Sequence, residues 1–257
     1  MPNWCSSTYA FKAKGKNKKE LQRLHQTIAE TIMGKTIPKE KMVENGFGAG
    51  WLGNVAIVHG IDWESVSCRG DITVIDVDVT GWGDADGSRD AEGLYYFKLE
   101  TETAWTPTIE LWDAVVKQYE GVSFVYTSEE QGCDIFINTD TEGQFFTQRY
   151  LLKISCDNVK LIPKYWSLDN VVLPAVDSSN SAKNGTKNLA NLDIHEYFTC
   201  FDELHDYFAK LTGKEDEGFE SLQEIRDYLD EVLSEALEAN GSQSHYLMAN
   251  IREFAYE

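Results

Sequence analysis

The chain has 257 residues, 42% hydrophobic and 12% aromatic, with 43 acidic against 23 basic side chains and a formal net charge of −20. Its length holds one large domain or two modest ones, and its apolar content excludes general disorder. No run reaches the ~18 apolar residues of a membrane span, and the N-terminal residues lack the pattern of a secretory signal.

The charge is unevenly spread. Residues 1–41 carry nine Lys/Arg and three acids, a net +6, so the remaining 216 residues sum to −26. A surface this negative repels phosphate backbones and attracts basic surfaces, which argues against direct nucleic-acid binding. The five cysteines (Cys5, Cys68, Cys133, Cys156, Cys200) are odd in number and include no Cys-x-x-Cys pair. They read as reduced thiols in a cytoplasmic protein, with no zinc site.

In chain order, residues 4–11 alternate as a strand, with Trp4, Ser6, Thr8 and Ala10 opposite Cys5, Ser7, Tyr9 and Phe11. A helix follows, capped by Asn17 with Glu20 three residues on and closed by Gly34. Its apolar stripe is Leu21, Leu24, Ile28 and Ile32. The glycine-rich stretch 46–53 lacks the Gly-Lys-Ser/Thr ending of a phosphate loop and reads as a flexible connection.

Residues 72–79 alternate, with Ile75, Val77 and Val79 opposite Asp76 and Asp78; residues 94–102 alternate again. Thr106-Pro107 opens a second helix with stripe Ile109, Trp112, Val116 and Tyr119, closed by Gly121. Residues 122–126 and 134–138 form a hairpin around Gly132, and 145–154 a final strand.

Strand, helix, strand, strand, helix, strand is the ferredoxin-like split βαβ order: an α+β fold with both helices on one face of the sheet and the other face open. The expected domains are a ferredoxin-like unit over 1–155, a linker or long loop over 156–190, and an acidic helical region over 191–257. The last region carries one helix through Ile194, Tyr197, Phe198, Phe201, Leu204, Phe208 and Leu211, a second from the Ser221–Glu224 capping box, and a third through Leu247, Ile251 and Phe254.

Met1-Pro2-Asn3-Trp4-Cys5-Ser6 and Thr103-Ala104-Trp105-Thr106-Pro107 resemble two short motifs of the YubB-type ferredoxin-like family of phage- and plasmid-encoded proteins. The resemblance covers roughly residues 1–153. Ser7 and Thr108 depart from the pattern, and the tryptophan-rich segment survives only as Gly81-Trp82-Gly83. It implies a mobile-element origin and a cytoplasmic setting, and it supplies no catalytic residue. Trp4, Cys5 and Trp105 read as packing residues beneath the sheet ends.

The candidate site is acidic. Asp76, Asp78, Glu100 and Glu102 share the parity opposite the apolar residues, and Asp84 and Asp86 lie in the turn between their strands. Facing carboxylates need compensation from salt, a divalent cation or a basic partner. The first strand has no acid to complete a two-metal site. The 84–95 loop has Arg89 and Tyr95 where a calcium loop needs Gly and Glu. His25, His59, His195, His205 and His245 do not gather in sequence.

These features point to a non-enzymatic protein without cofactor. Its acidic face would occupy a basic, nucleic-acid-binding surface on a host defence protein. A metal-dependent phosphodiesterase built on the same carboxylates is the rival. A third reading is a non-cleaving nucleotide sponge using residues 46–53 and the lysines at 12–19.

Overall fold

The computed structural model describes residues 3–35, 46–82, 93–130, 132–133, 135–160, 189–214, 218–240 and 246–254. The chain divides into two compact units, one built from residues up to Phe146 and the other from Thr147 to Phe254. Both are α+β. Among the described residues there are five α-helices, and every strand pairing is antiparallel.

The first unit runs β1 (Trp4–Lys14), α1 (Lys18–Ile32), α2 (Leu52–Val58), β2 (Gly70–Ile75), β3 (Thr80–Gly81), β4 (Leu94–Ala104), α3 (Ile109–Val116), β5 (Val122–Glu130) and β6 (Ile135–Asn138). Its sheet has the order β2-β4-β1-β5-β6, with β3 also on β4. Strict alternation in β1 sends Tyr9, Phe11 and Ala13 to one face, where they meet Phe97 and Leu99 of β4. Leu21, Leu24 and Ile28 of α1, Leu52 and Val55 of α2, and Leu111, Trp112 and Val115 of α3 complete the same core. Phe11 stacks on Phe97 at 5.1 Å and meets Trp112 edge-on at 5.3 Å. Each such buried side chain contributes about 1.5–3 kcal/mol.

Helix α1 ends where expected. Gly34 takes φ 69°, its N–H bonds the Thr31 carbonyl at 2.9 Å, and Lys35 N–H bonds that of Glu30 at 3.0 Å. Asn17 precedes the helix but makes no side-chain cap. Helix α3 begins at Ile109, after Thr108 rather than Thr106.

Residues 46–53 are not a loose connection. They contain a 3-10 turn at Gly48–Gly50 and the start of α2, a helix that the glycines concealed from the sequence pattern. Asn54 donates to the Gly48 and Ala49 carbonyls at 3.1 Å, and Trp51 bridges to Asp71. Strand β2 stops at Ile75, and Val77 is 90% exposed, so the alternation read over 72–79 ends early.

The second unit runs β7 (Tyr150–Lys160), β8 (Leu189–Phe198), α4 (Phe201–Thr212), α5 (Leu222–Asn240) and β9 (Tyr246–Glu253), with sheet order β8-β7-β9. Leu152, Ile154, Ile194 and Phe198 from the sheet pack with Leu204, Phe208 and Leu211 of α4 and with Ile225, Tyr228 and Leu229 of α5. This unit departs from the all-helical expectation. Ile194 and Phe198 lie in a strand, the helix starts only at Phe201, and the expected third helix is β9. The spacing of Ile194 and Phe198 suits either period, so apolar positions alone could not choose between them. Residues 150–154 belong to this second sheet and residues 156–160 continue its central strand, so the unit boundary falls near 146 rather than 155. Residues 161–188 of the expected linker lie outside the described residues.

Gly70 sits at a close backbone approach. A Cβ there would lie 2.3 Å from the Glu102 carbonyl oxygen and 2.8 Å from Thr103 Cα. Gly70→Ala is expected to destabilise the protein by about 1–3 kcal/mol. Gly46→Ala, with nothing within 4 Å of its Cβ, should stay within about 0.5 kcal/mol of the parent. Urea denaturation of both variants checks the pair.

Candidate functional site

The strand register builds an acidic end on the sheet face turned away from the helices. Asp71 of β2 pairs with Glu102 of β4, Glu102 with Ser6 of β1, and Ser6 with Glu129 of β5. The next row is Val74, Glu100, Thr8 and Thr127. With strands about 4.8 Å apart, the side chains of Asp71 and Glu102 are immediate neighbours and Glu129 is two strands away. The centre strand contributes small hydroxyls to these rows, and the Ser6 hydroxyl donates to the Glu102 carboxylate.

Glu100 is exposed, while Asp71, Glu102 and Glu129 are half-buried. Among the described residues no lysine or arginine forms an ion pair with Asp71, Glu100 or Glu102. Burial, and then the charge of Glu102, push the Asp71 carboxyl above its ordinary value.

The structure divides the residues expected to form this site. Glu100 and Glu102 do share the face. Asp76 reaches the outer register, but its carboxylate accepts the Lys98 backbone N–H at 2.6 Å, and its carbonyl meets His25 Nε2 at 2.8 Å. Asp78 lines a cavity of about 570 Å³ against α1, with Gln22, His25, Gln26, Glu30 and Met33. Asp84 and Asp86 lie outside the described residues.

Sequence reasoning missed Asp71 and Glu129. A bulge between Ile72 and Val74 reverses the parity of β2, so counting back from Ile75 places Asp71 on the wrong face. Glu129 was findable, because it continues the parity of Val125 and Thr127.

The rest of this face is covered rather than open. Phe145 and Phe146 pack over Ala10 with Tyr96 and Val125. The Asp140 carboxylate accepts their two backbone N–H groups, Phe146 N–H at 2.9 Å. Trp82, Tyr96 and Phe145 form a tilted and edge-on cluster at 5.0–5.8 Å. Two lysines of this face rest on rings, Lys12 on Phe145 at 5.5 Å and Lys98 on Phe146 at 4.8 Å.

At the acidic end the two short motifs of the sequence meet. Trp105 N–H bonds the Asn3 carbonyl at 2.9 Å, and the Thr103 hydroxyl donates to the Thr106 carbonyl at 2.8 Å. Trp105 holds φ 75°, costly for a bulky residue. Trp4 and Trp105 are 44% and 45% exposed, so they are not packed beneath the sheet as expected. Cys5 is buried, and burial pushes its thiol up to about 11, which makes it a poor nucleophile. Burial alone would raise Glu130. Hydrogen bonds from the Cys133 thiol, from the Gly132 and Cys133 N–H groups and from Asn3 outweigh it and hold that carboxyl below the ordinary range.

His59 is buried between the Val55 carbonyl at 2.7 Å and the Tyr119 hydroxyl at 2.9 Å, and burial lowers its basicity. No three His, Cys, Asp or Glu side chains among the described residues are grouped to hold a metal ion. No described helix is long and apolar enough to cross a membrane. The chain matches no protein-family model, no curated protein and no solved structure.

The raised Asp71 carboxyl and the lowered Glu130 carboxyl act oppositely on stability. A raised folded-state pKa gives stability that is present below the unfolded value and lost as pH rises through the folded one; a lowered pKa gives stability lost as pH falls through the folded one. Asp71→Asn is therefore expected to be more stable than the parent at pH 7, with the difference closing as pH falls through the raised value. Glu130→Gln should be less stable at pH 7, again converging at low pH. Urea midpoints between pH 3 and pH 7 check both signs.

Proposed function

We propose that this chain is a non-enzymatic binding protein that sets its acidic sheet end against a basic surface of another protein, one whose own ligand is a nucleic acid. The observation that carries this reading is the cross-strand row of Asp71, Glu102 and Glu129 with Glu100 beside it. Anions held in one row present a concentrated negative charge complementary to a phosphate-binding surface. The −26 outside the first 41 residues extends the same sign over the rest of the chain. A cationic partner would offset the charge of Glu102, which adds to burial in raising Asp71.

The ferredoxin-like description belongs to this proposal. Its support is the order β1-α1-β2-β4-α3-β5, to which α2 and the short β3 are additions, with β4 inserted between β2 and β1. Origin in a phage or plasmid, a cytoplasmic setting and interference with a host defence factor rest on the resemblance of residues 1–6 and 103–107. A role in phosphodiester cleavage has less to stand on, because β1 brings Ser6 and Thr8 to the rows where such a site needs a carboxylate.

The test is capture from host lysate on the immobilised protein at 50 and 500 mM salt. Basic nucleic-acid-binding proteins should be retained at low salt, released at high salt and displaced by DNA. Glu100→Lys with Glu102→Lys should weaken binding of the captured protein at least tenfold. Capture indifferent to salt and to the double reversal would remove the proposal. So would turnover of a nucleotide or nucleic acid with Mg²⁺ or Mn²⁺ that Glu102→Gln abolishes.

A further inference from the structure

The core of the first unit becomes polar beneath the acidic end. Cys5 and Ser7 replace the aromatic residues that β1 sends inward at Tyr9 and Phe11, and Ser7 is flanked in register by Thr101 and Ser128. The Ser128 hydroxyl donates to Ser7 at 2.8 Å, and Cys5 Sγ lies 3.7 Å from the same oxygen. Four buried polar atoms of this unit make no regular hydrogen bond with another protein group: the hydroxyls of Tyr9, Thr101 and Thr108 and the indole N–H of Trp112. All four residues are at most 1% exposed.

The Tyr9 hydroxyl lies beside Ser7 and Thr108 without a well-formed bond to either. The rings of Tyr9 and Trp112 are 5.5 Å apart. Thr108 directly precedes α3, on whose first turn Trp112 sits, and its hydroxyl does not cap that helix. Direct pairing of Tyr9 with Thr108 would still leave the indole, which can only donate, and Thr101 unmet. Buried groups of this kind are satisfied by ordered water when the protein does not satisfy them.

We infer that this polar end of the core is a binding site for at least one internal water, held by the Trp112 indole, the Tyr9 hydroxyl and the Thr108 hydroxyl beside the Ser7–Ser128 pair. The water accepts from the indole, which has no other partner, and exchanges hydrogen bonds with the two hydroxyls. It ties the start of α3 to the centre strand.

Water-selective NOE spectroscopy on ¹⁵N-labelled protein tests the site directly. A cross-peak between water and the Trp112 indole proton, with the sign of a long-lived complex, is expected. Tyr9→Phe is expected to lower the urea midpoint, because it removes one of the water's partners. An indole proton without a water cross-peak overturns the inference. A raised midpoint in Tyr9→Phe does so too, since deleting a truly orphaned hydroxyl relieves a cost. If Tyr9→Phe does not fold, the cross-peak of the parent protein decides.

Discussion

The first unit depends on one strand paired on both sides. β1 is hydrogen-bonded to β4 along its full length and to β5 over residues 6–13, so its alternation sets the alternation of its neighbours. One set of its residues, Tyr9, Phe11 and Ala13, is the floor on which the three helices rest. The other set is small at Ser6, Thr8 and Ala10, between Trp4 and Lys12. A one-residue slip would turn the aromatic residues to solvent and bring Ser6 and Thr8 into the core, so burial fixes the register strongly. The same fixed register brings Glu102 and Glu129 to either side of Ser6.

Small residues on the outer side of the centre strand have two consequences. At Ala10 the space above the sheet admits Phe145 and Phe146, which cover that part and gather Lys98 and Lys12 over their rings. At Ser6 both flanking side chains are carboxylates and at Thr8 one is, and carboxylates cannot be covered by apolar groups without a large desolvation cost. The face is thereby split into a closed aromatic half and an exposed acidic half. The asymmetry follows from which neighbours flank β1, rather than from any loop that opens or closes.

Much of the first unit was legible because its periods are clean. The stripe Leu21, Leu24 and Ile28 and the alternation through Tyr9 and Phe11 leave little choice of element or face. What escaped was local and had physical causes. Glycines masked α2, whose start is held by Asn54 and Trp51 rather than by propensity. A single bulged residue hid Asp71. Ile194 and Phe198 satisfied a helical spacing while lying in a strand, since their three-dimensional partners, Leu152 and Ile154, are far away in sequence. The acidic site was thus half visible: Glu100 and Glu102 follow from alternation alone, whereas their companions needed the register.

The two ends of β1 also differ in how well they obey the rules of a packed core. From Tyr9 to Ala13 the inward residues are apolar and buried, and their neighbours Phe97, Leu99 and Tyr126 match them. From Cys5 to Ser7 the inward residues are small and polar, facing Thr101, Thr103 and Ser128. That polar end coincides with the acidic rows on the outer face, with the exposed Trp4 and Trp105, and with the positive φ of Trp105. Departures from packing, charge balance and backbone preference thus fall together on one end of the sheet, and such departures are expected at functional or strained sites. This convergence, more than the total charge, is what supports the proposal of a site at the acidic end.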